Sequence, residues 1–210
     1  EISYHFEPVA TKAASRHVYE RTWSFNQSQF FYKQVYSWLM RLHGEGGLTF
    51  CEKTPRNCFI IPFLYKVFPD ARFIHIIRDG RDVALSYSKK PWLQAASSDS
   101  GKLEPGGYPY GAYPRYWVEP QRREEFKTTS DIHRCIWAWR RHIEAVWEDK
   151  KQLPSDQYLE VSYETLVTNH DQEGEGLLNF LQIENTISRQ QFAVALGKAN
   201  PNSIENWKQE

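Results

Sequence analysis

The segment 72–88 constrains the fold more than any other part of this sequence. Residues 72–77 (RFIHII) are nearly continuous in side chains that favour β-structure, and such uninterrupted strands usually lie inside a parallel sheet. Residues 78–80 (RDG) break the strand, and residues 81–88 have the composition of a helix. A strand that leads through a short turn into a helix predicts an α/β unit.

The rest of the chain alternates in the same way. Apolar side chains at helical spacing predict helices over 15–43, 57–68, 81–88, 131–150 and from Leu166 to Leu181, with strands at 48–51, 72–77 and 158–163. Because strands alternate with helices, we predict an α/β fold with a parallel sheet flanked by helices. A length of 210 residues suits one domain, so residues 1–210 are expected to form a single domain.

Residues 89–128 differ in character from the rest of the chain. Prolines and glycines recur through this segment, interleaved with Tyr108, Tyr110, Tyr113, Tyr116 and Trp117. Loops of this length inside a compact domain are often functional. We therefore predict an aromatic lid or insert over 89–128 that contacts a substrate.

The charge balance excludes some classes of partner. The chain carries 26 Lys and Arg against 26 Asp and Glu, whereas a nucleic-acid coat or a general membrane-surface binder relies on net positive charge. We expect no nucleic-acid partner, and a basic pocket for a small anion remains compatible with this balance. No apolar run reaches the length of a membrane span, and the sequence does not specify an oligomeric state.

The cysteines point away from a metal or a disulfide framework. Cys51, Cys58 and Cys135 are too few for such a framework, and their spacing fits no zinc site. We expect buried free thiols and no metal. With no signal peptide in the sequence either, a cytoplasmic location is expected, the alternative being the Golgi lumen if a preceding segment carried an anchor.

One strand end has the residues of an anion site. Arg78 follows the strand 72–77, at the end where ligands of open α/β sheets bind, and Ser86 lies about two helical turns further on. An arginine, a hydroxyl and a helix start suit a phosphate group, since the guanidinium supplies paired donors. The alternative is that Arg78 pairs with Asp79 or Asp82 and that Ser86 is an ordinary helical residue.

Four segments, in this order, resemble the sulfotransferase superfamily: 52–57 (EKTPRN), 68–86 (FPDARFIHIIRDGRDVALS), 158–167 (YLEVSYETLV) and 202–208 (NSIENWK). The arrangement is closer to the tyrosyl-protein, carbohydrate and bacterial branches than to the cytosolic steroid and phenol branch. The resemblance implies a parallel sheet like that of P-loop NTPases. It also implies transfer of a sulfuryl group from 3′-phosphoadenylyl sulfate (PAPS) to a hydroxyl or amine, with 3′-phosphoadenosine 5′-phosphate (PAP) as product. A small molecule, a carbohydrate or a peptide would be the acceptor.

The resemblance also implies roles for individual residues in holding the nucleotide. The residues that match Arg78 and Ser86 hold the 3′-phosphate in this family, and the one that matches Tyr163 contacts the adenine. The segment around Asn202 and Ser203 would close over the cofactor. The alternative for Tyr163 is core packing along its own strand.

Lys53 is the candidate for charge neutralisation during transfer. It follows the strand 48–51, and a lysine there would neutralise charge on the transferring group or its bridging oxygen, as in phosphoryl transfer. The alternative is a surface lysine paired with Glu52.

The catalytic base must come from elsewhere than in the cytosolic branch. That branch has a histidine two residues after the matching lysine, where this chain has Pro55. Glu7 is the first candidate because tyrosyl-protein sulfotransferases place a catalytic glutamate shortly after the cofactor loop, and His5 is the second. The alternative is an ordinary exposed N-terminal segment.

The phosphosulfate-binding loop of the family is not found in these residues. That loop belongs to a strand-loop-helix rich in Gly, Ser, Thr and a basic residue, and the glycine cluster at 44–47 lacks a lysine or hydroxyl at the required spacing. We therefore expect a sulfotransferase-like domain lacking its N-terminal strand-loop-helix. A non-catalytic relative that binds a 3′-phosphorylated adenine nucleotide or a protein partner is the main alternative. Another P-loop-like transferase or kinase is disfavoured by the same missing loop.

Overall fold

The strands form parallel pairs. The computed structural model describes residues 2–6, 8–42, 49–198 and 204–208, and its strands are β1 (Ile2–Phe6), β2 (Thr49–Lys53), β3 (Phe73–Ile77) and β4 (Tyr158–Ser162). β1 pairs with β2 and β3 pairs with β4, both in parallel, giving two two-stranded sheets in the described residues. The predicted α/β class is confirmed.

Helices connect and cover these strands. They are α1 (Val9–Tyr19), α2 (Phe25–Leu42), α3 (Ile61–Val67), α4 (Gly80–Ser88), α5 (Arg123–Thr128), α6 (Asp131–Asp149), α7 (Tyr163–Thr168), α8 (His170–Phe180) and α9 (Thr186–Leu196). A 3₁₀ turn, Pro55–Phe59, precedes α3. The predictions for β2, β3, β4, α4 and α6 are confirmed within about two residues at most ends. β1 was not predicted, although Ile2, Tyr4 and Phe6 alternate with polar residues as a half-buried strand does.

The single helix predicted over 15–43 is wrong, because two helices meet there. Arg21 has a φ of 56°, which takes the chain out of the helical region after α1. Ser24 and Gln27 then form a capping box at the start of α2. The Gln27 N–H donates to Ser24 Oγ at 3.3 Å, and the Ser24 N–H donates to Gln27 Oε1 at 2.9 Å.

The main core lies around α6, which packs closely against α4. Its most buried side chains include Trp137, Phe126, Tyr32 and Val118. A smaller cluster under β4, with Val161 at its centre, joins this strand to the helices α7, α8 and α9. The two strand pairs are therefore held mainly by helices.

The segment 89–128 is packed into this core. Tyr116 and Trp117 are buried, and α5 forms at the end of the segment. Arg115 is 2% exposed and donates to the carbonyl oxygens of Trp92 (2.8 Å) and Tyr113 (2.6 Å). Such a buried cation needs acceptors on several sides, so its burial ties the segment together.

Buried ion pairs attach this segment to the residues that follow β2. The Glu104 carboxylate accepts a hydrogen bond from Arg56 and forms an ion pair with Arg115. Arg56 also donates to the carbonyl oxygens of Pro105 and Lys12. The turn after β2, helix α1 and the segment 89–128 are thereby joined at one place.

The cysteines are free thiols, as predicted. Cys135 is buried, while Cys51 and Cys58 are half-buried. Burial raises the pKa of Cys58 to about 12 and that of Cys135 to about 11. Of the three thiols expected to be buried, Cys135 is fully buried and the other two are only partly so. Cys58 and Cys135 are protonated at neutral pH.

Candidate functional site

A cleft of about 790 Å³ lies at the carboxyl ends of β3 and β4. Its walls include the turn between β3 and α4, the end of β4, and one face of α6. Its lining residues include Arg78, Asp79, Gly80, Arg81, Trp139 and Glu164. Its position is the one at which ligands of parallel sheets bind.

Arg78, which lines this cleft, lies next to Tyr163, which is not among the lining residues, because of strand register. Ile77 pairs with Ser162 at the end of the β3–β4 ladder, so the next residue of each strand emerges beside the other. The guanidinium carbon of Arg78 lies 4.9 Å from the centroid of the Tyr163 ring, within the range of a cation–π contact. The structure thus brings together two residues that the sequence proposed for nucleotide binding.

The start of α4 is shaped by Asp79 and Arg81. Asp79 is the N-cap of α4, and its carboxylate accepts from the Arg81 N–H at 2.8 Å. The Arg81 guanidinium donates to both oxygens of the same carboxylate, and these hydrogen bonds hold the pKa of Asp79 below its usual value. The Asp79 N–H in turn donates to Glu164 at 2.8 Å. The carboxylates of Asp79 and Glu164 at this end of the cleft thus accept hydrogen bonds from the protein itself.

Gly80 is required because Trp139 packs against its backbone, a contact that the sequence pattern does not indicate. Trp139 Nε1 donates to the carbonyl oxygen of Arg78 at 3.0 Å. A Cβ on Gly80 would lie 2.7 Å from Trp139 Cδ2, closer than carbon atoms approach. The indole therefore braces the turn that carries Arg78, and only glycine fits under it.

None of the remaining predicted cofactor and catalytic residues that the structure describes lines this cleft. Ser86 is exposed on α4 and is not among the residues that line the cleft. Asn202 and Ser203 lie outside the described residues, as does Glu7. His5 lies in β1, where its register partner is Glu52.

Lys53 borders a second cleft, of about 650 Å³, between β2 and β3. Lys53 ends β2 and is half-buried. The wall on the β2 side includes Phe50, and that on the β3 side includes Phe73 and Ile74. This cleft and the 790 Å³ cleft share no lining residue, so Lys53 and Arg78 open into separate spaces.

Glu52, next to Lys53, is the acceptor at the centre of a hydrogen-bond cluster. Its donors are the hydroxyls of Thr11 (3.2 Å) and Tyr36 (3.2 Å), the side-chain amide of Asn57 (2.6 Å) and the hydroxyl of Thr54. Burial together with this carboxylate raises the pKa of Tyr36. Since the donors come from α1, α2 and the turn after β2, Glu52 fixes the strand end that carries Lys53. The sequence pattern around this glutamate indicates only a surface pair with Lys53.

Neither a metal site nor a membrane-spanning helix is found in the described residues. No group of three or more His, Cys, Asp or Glu side chains there could hold a metal ion. Within the same residues, no helix has the length and apolar character of a membrane span.

The architecture defines an α/β protein with the P-loop-like arrangement of parallel strands and covering helices. Comparison with known proteins narrows this class, because a family model described as "Sulfotransferase family" matches residues 5–186. The chain therefore belongs to the sulfotransferase family, and the resemblance of the sequence motifs is confirmed.

Individual relatives lie on the tyrosyl-protein side of the superfamily, as predicted. The chain is 28% identical over 141 residues to protein-tyrosine sulfotransferase 1 of Danio rerio, covering 67% of this chain and 31% of that protein. It is 23% identical over 141 residues to protein-tyrosine sulfotransferase of Drosophila melanogaster, covering 67% of this chain and 22% of that protein. The matched region is thus less than a third of the length of either relative.

A solved structure supports the fold. The sulfotransferase domain from the curacin biosynthetic pathway aligns with a TM-score of 0.52 at 13% sequence identity, covering 90% of this chain and 59% of that one. At this identity the comparison bears on the fold alone, and it confirms the predicted α/β architecture.

Proposed function

We propose that the protein is a PAPS-dependent sulfotransferase that transfers a sulfuryl group to a hydroxyl of a peptide or protein. The observation that carries the proposal is the placement of Arg78 over Tyr163 at the carboxyl ends of two parallel strands, in a member of the sulfotransferase family. A protein tyrosine is the proposed acceptor because relatives carry the name protein-tyrosine sulfotransferase.

The 790 Å³ cleft suits the 3′-phosphoadenosine part of the donor. Its volume falls within the roughly 300–1,000 Å³ that small-molecule sites occupy. Arg78 would form charge-assisted hydrogen bonds with the 3′-phosphate beside the start of α4, and the Tyr163 ring offers a face for the adenine. Ser86 would contact only a ligand that extends along the exposed side of α4.

The chemical step assigns separate tasks to residues near β2 and β1. PAPS supplies the sulfuryl group when bound. Lys53 would neutralise negative charge that develops on the oxygen leaving with PAP. Glu7 would take the proton of the acceptor hydroxyl, with His5 as the second candidate.

The cleft between β2 and β3 has the properties expected for the strand of the family's phosphosulfate-binding strand-loop-helix. It is bordered by β2 and β3, which pair with β1 and β4 respectively. A five-residue strand occupies roughly 5 Å by 10 Å by 17 Å, or about 850 Å³, comparable to the 650 Å³ of the cleft. A strand parallel to both neighbours would end between Lys53 and Arg78. We propose that its loop would join the two clefts into one donor site.

Two measurements on the full-length protein test this function. Isothermal titration calorimetry with PAP measures nucleotide binding, and saturable one-to-one binding is expected. Incubation with ³⁵S-labelled PAPS and a tyrosine peptide tests transfer, with the phenylalanine version of the same peptide as control. Absence of PAP binding overturns the proposal, whereas binding without transfer to any hydroxyl acceptor supports the non-catalytic alternative.

A further inference from the structure

The described residues 204–208, here called the C-terminal turn, dock on the first turn of α4. Asp82, the third residue of α4, is 2% exposed. Its Oδ2 accepts from the Glu205 N–H at 2.8 Å, and its Oδ1 accepts from the Trp207 N–H at 3.2 Å. Residues more than 120 positions apart in sequence are therefore joined through one buried carboxylate.

Arg81 connects the same turn to the 790 Å³ cleft. Its guanidinium carbon lies 3.7 Å from the centroid of the Trp207 ring, and Arg81 also lines the cleft. Its other partner is the Asp79 carboxylate. A single side chain therefore touches the C-terminal turn on one side and borders the proposed nucleotide site on the other.

The Asp82 carboxylate is stable in this position because of its partners. A buried carboxylate is costly unless hydrogen-bonded, and here two backbone N–H groups and the positive end of α4 offset its charge. If the turn left α4, Asp82 would lose both donors at once. Docking of the turn and the conformation of residues 78–82 consequently stabilise each other.

We propose that Asp82 and Arg81 are positioning residues that couple nucleotide binding to docking of the C-terminal turn; this rests on the proposed function. Residues 78–82 contain both the proposed phosphate ligand, Arg78, and the dock for the turn. A nucleotide held by Arg78 orders this stretch, and the docked turn orders the same stretch from its other side. Because coupling between two binding events is reciprocal, each strengthens the other.

Hydrogen exchange of the full-length protein tests the coupling. Exchange of the amides of Glu205 and Trp207 is followed by mass spectrometry with and without saturating PAP. We expect slower exchange when PAP is bound, since these are the two N–H groups that Asp82 accepts. Unchanged exchange at both amides, in a protein that binds PAP, overturns the coupling.

Variants separate coupling from a merely structural role. Asp82→Asn keeps the shape of the side chain and removes its charge, and we expect PAP affinity to fall about five- to fifty-fold with exchange at 204–208 no longer responding to PAP. Trp207→Ala removes the ring that Arg81 contacts while the sequence of α4 stays unchanged, and it should act in the same direction. Asp156→Asn, an equal charge change at an exposed residue that lines neither cleft, is the matched control.

The outcomes distinguish this inference from the proposed function. If the wild-type protein does not bind PAP, the proposed function fails. If it binds PAP and the Asp82→Asn and Trp207→Ala variants bind equally well, the proposed function stands and the coupling is wrong. A lower unfolding midpoint with unchanged PAP affinity in both variants assigns Asp82 to fold stability alone and also overturns the coupling.

Discussion

Arg78 lies over the ring of Tyr163, with its guanidinium carbon 4.9 Å from the ring centroid. The two residues are far apart in sequence and become neighbours because the β3–β4 ladder ends with Ile77 opposite Ser162. A cation that lines the proposed nucleotide cleft is thus placed over an aromatic ring.

Arg78→Ala is expected to weaken PAP binding by about 1.5–3 kcal/mol, the contribution of a charged hydrogen bond. This equals roughly a 10- to 150-fold rise in Kd by calorimetry. Tyr163→Phe should retain most of the affinity, whereas Tyr163→Ala should lose about 1–3 kcal/mol because the stacking face is gone. Arg123→Ala, at an exposed position of α5, controls for charge; equal affinity in Arg78→Ala would remove Arg78 from the site.

Gly80→Ala is expected to destabilise the fold by about 1–3 kcal/mol, as overpacking does. The added Cβ would lie 2.7 Å from Trp139 Cδ2, and the rigid indole has to move. Urea unfolding measures the loss. Gly176→Ala is the matched control, since nothing lies within 4 Å of its Cβ position in α8. That variant should gain about 0.5–1 kcal/mol from helix propensity; equal effects of the two variants would contradict the packing argument.

Glu104→Gln is expected to cost about 3–5 kcal/mol, because it leaves the buried cations Arg56 and Arg115 without their carboxylate. The exposed pair of Glu124 and Lys127 offers a comparison, and Glu124→Gln should change the free energy of unfolding by about 0–1 kcal/mol. Chemical denaturation of both variants checks this. Similar stability of the two would show that the Glu104 cluster does not hold the 89–128 segment.

Stability is expected to fall at mildly acid pH through His142. Burial lowers its pKa to about 4, with Arg56 and Arg141 adding to the effect, whereas an unfolded histidine titrates near 6.5. The unfolded chain therefore takes up this proton first as pH falls. The stabilisation is complete above about pH 6.5 and is lost toward pH 4, by at most about 1.4 kcal/mol per pH unit.

His142→Phe isolates this effect. The ring packs edge-on against Phe59, with centroids 4.6 Å apart, so phenylalanine fits the same contact. The stability difference between the two proteins, measured by urea unfolding at pH 7.5, 6 and 5, should shift in favour of the variant as pH falls. Asp149, whose pKa burial raises to about 6, acts in the opposite direction in both proteins and cancels. A difference independent of pH would show that His142 titrates normally.

The local sequence pattern predicted the helices and strands whose apolar residues recur with strong periodicity. It missed features that depend on hydrogen bonds and on the backbone conformation of single residues. The strand before Arg78 was predictable because four of the five residues Phe73–Ile77 are apolar and favour β-structure, and a turn follows them. The break between α1 and α2 was missed because Arg21 and the Ser24–Gln27 capping box interrupt a stripe of apolar residues that continues across both helices. A serine followed three residues later by glutamine was the available signal.

The residues of the candidate site that could be predicted are those in which a sequence motif lies at the end of a strand. Arg78 and Tyr163 follow strand ends, so their placement at one edge follows from the sheet. Trp139 and Glu52 were missed because their roles depend on contacts with residues distant in sequence, such as the Arg78 carbonyl and the Tyr36 hydroxyl. No spacing within a single helix or strand carries that information.

The pairing of the strands also bears on how quickly the molecule folds. The β1–β2 ladder forms only after Ile2 pairs with Thr49, and the β3–β4 ladder only after Phe73 pairs with Tyr158. Each closure restricts a long stretch of chain before its hydrogen bonds form, and such distant pairings slow folding. Helix α6 lies between β3 and β4 in sequence and packs on α4, so its early formation would shorten the effective search for the second ladder. The helices thus provide the local contacts from which the distant pairings can start.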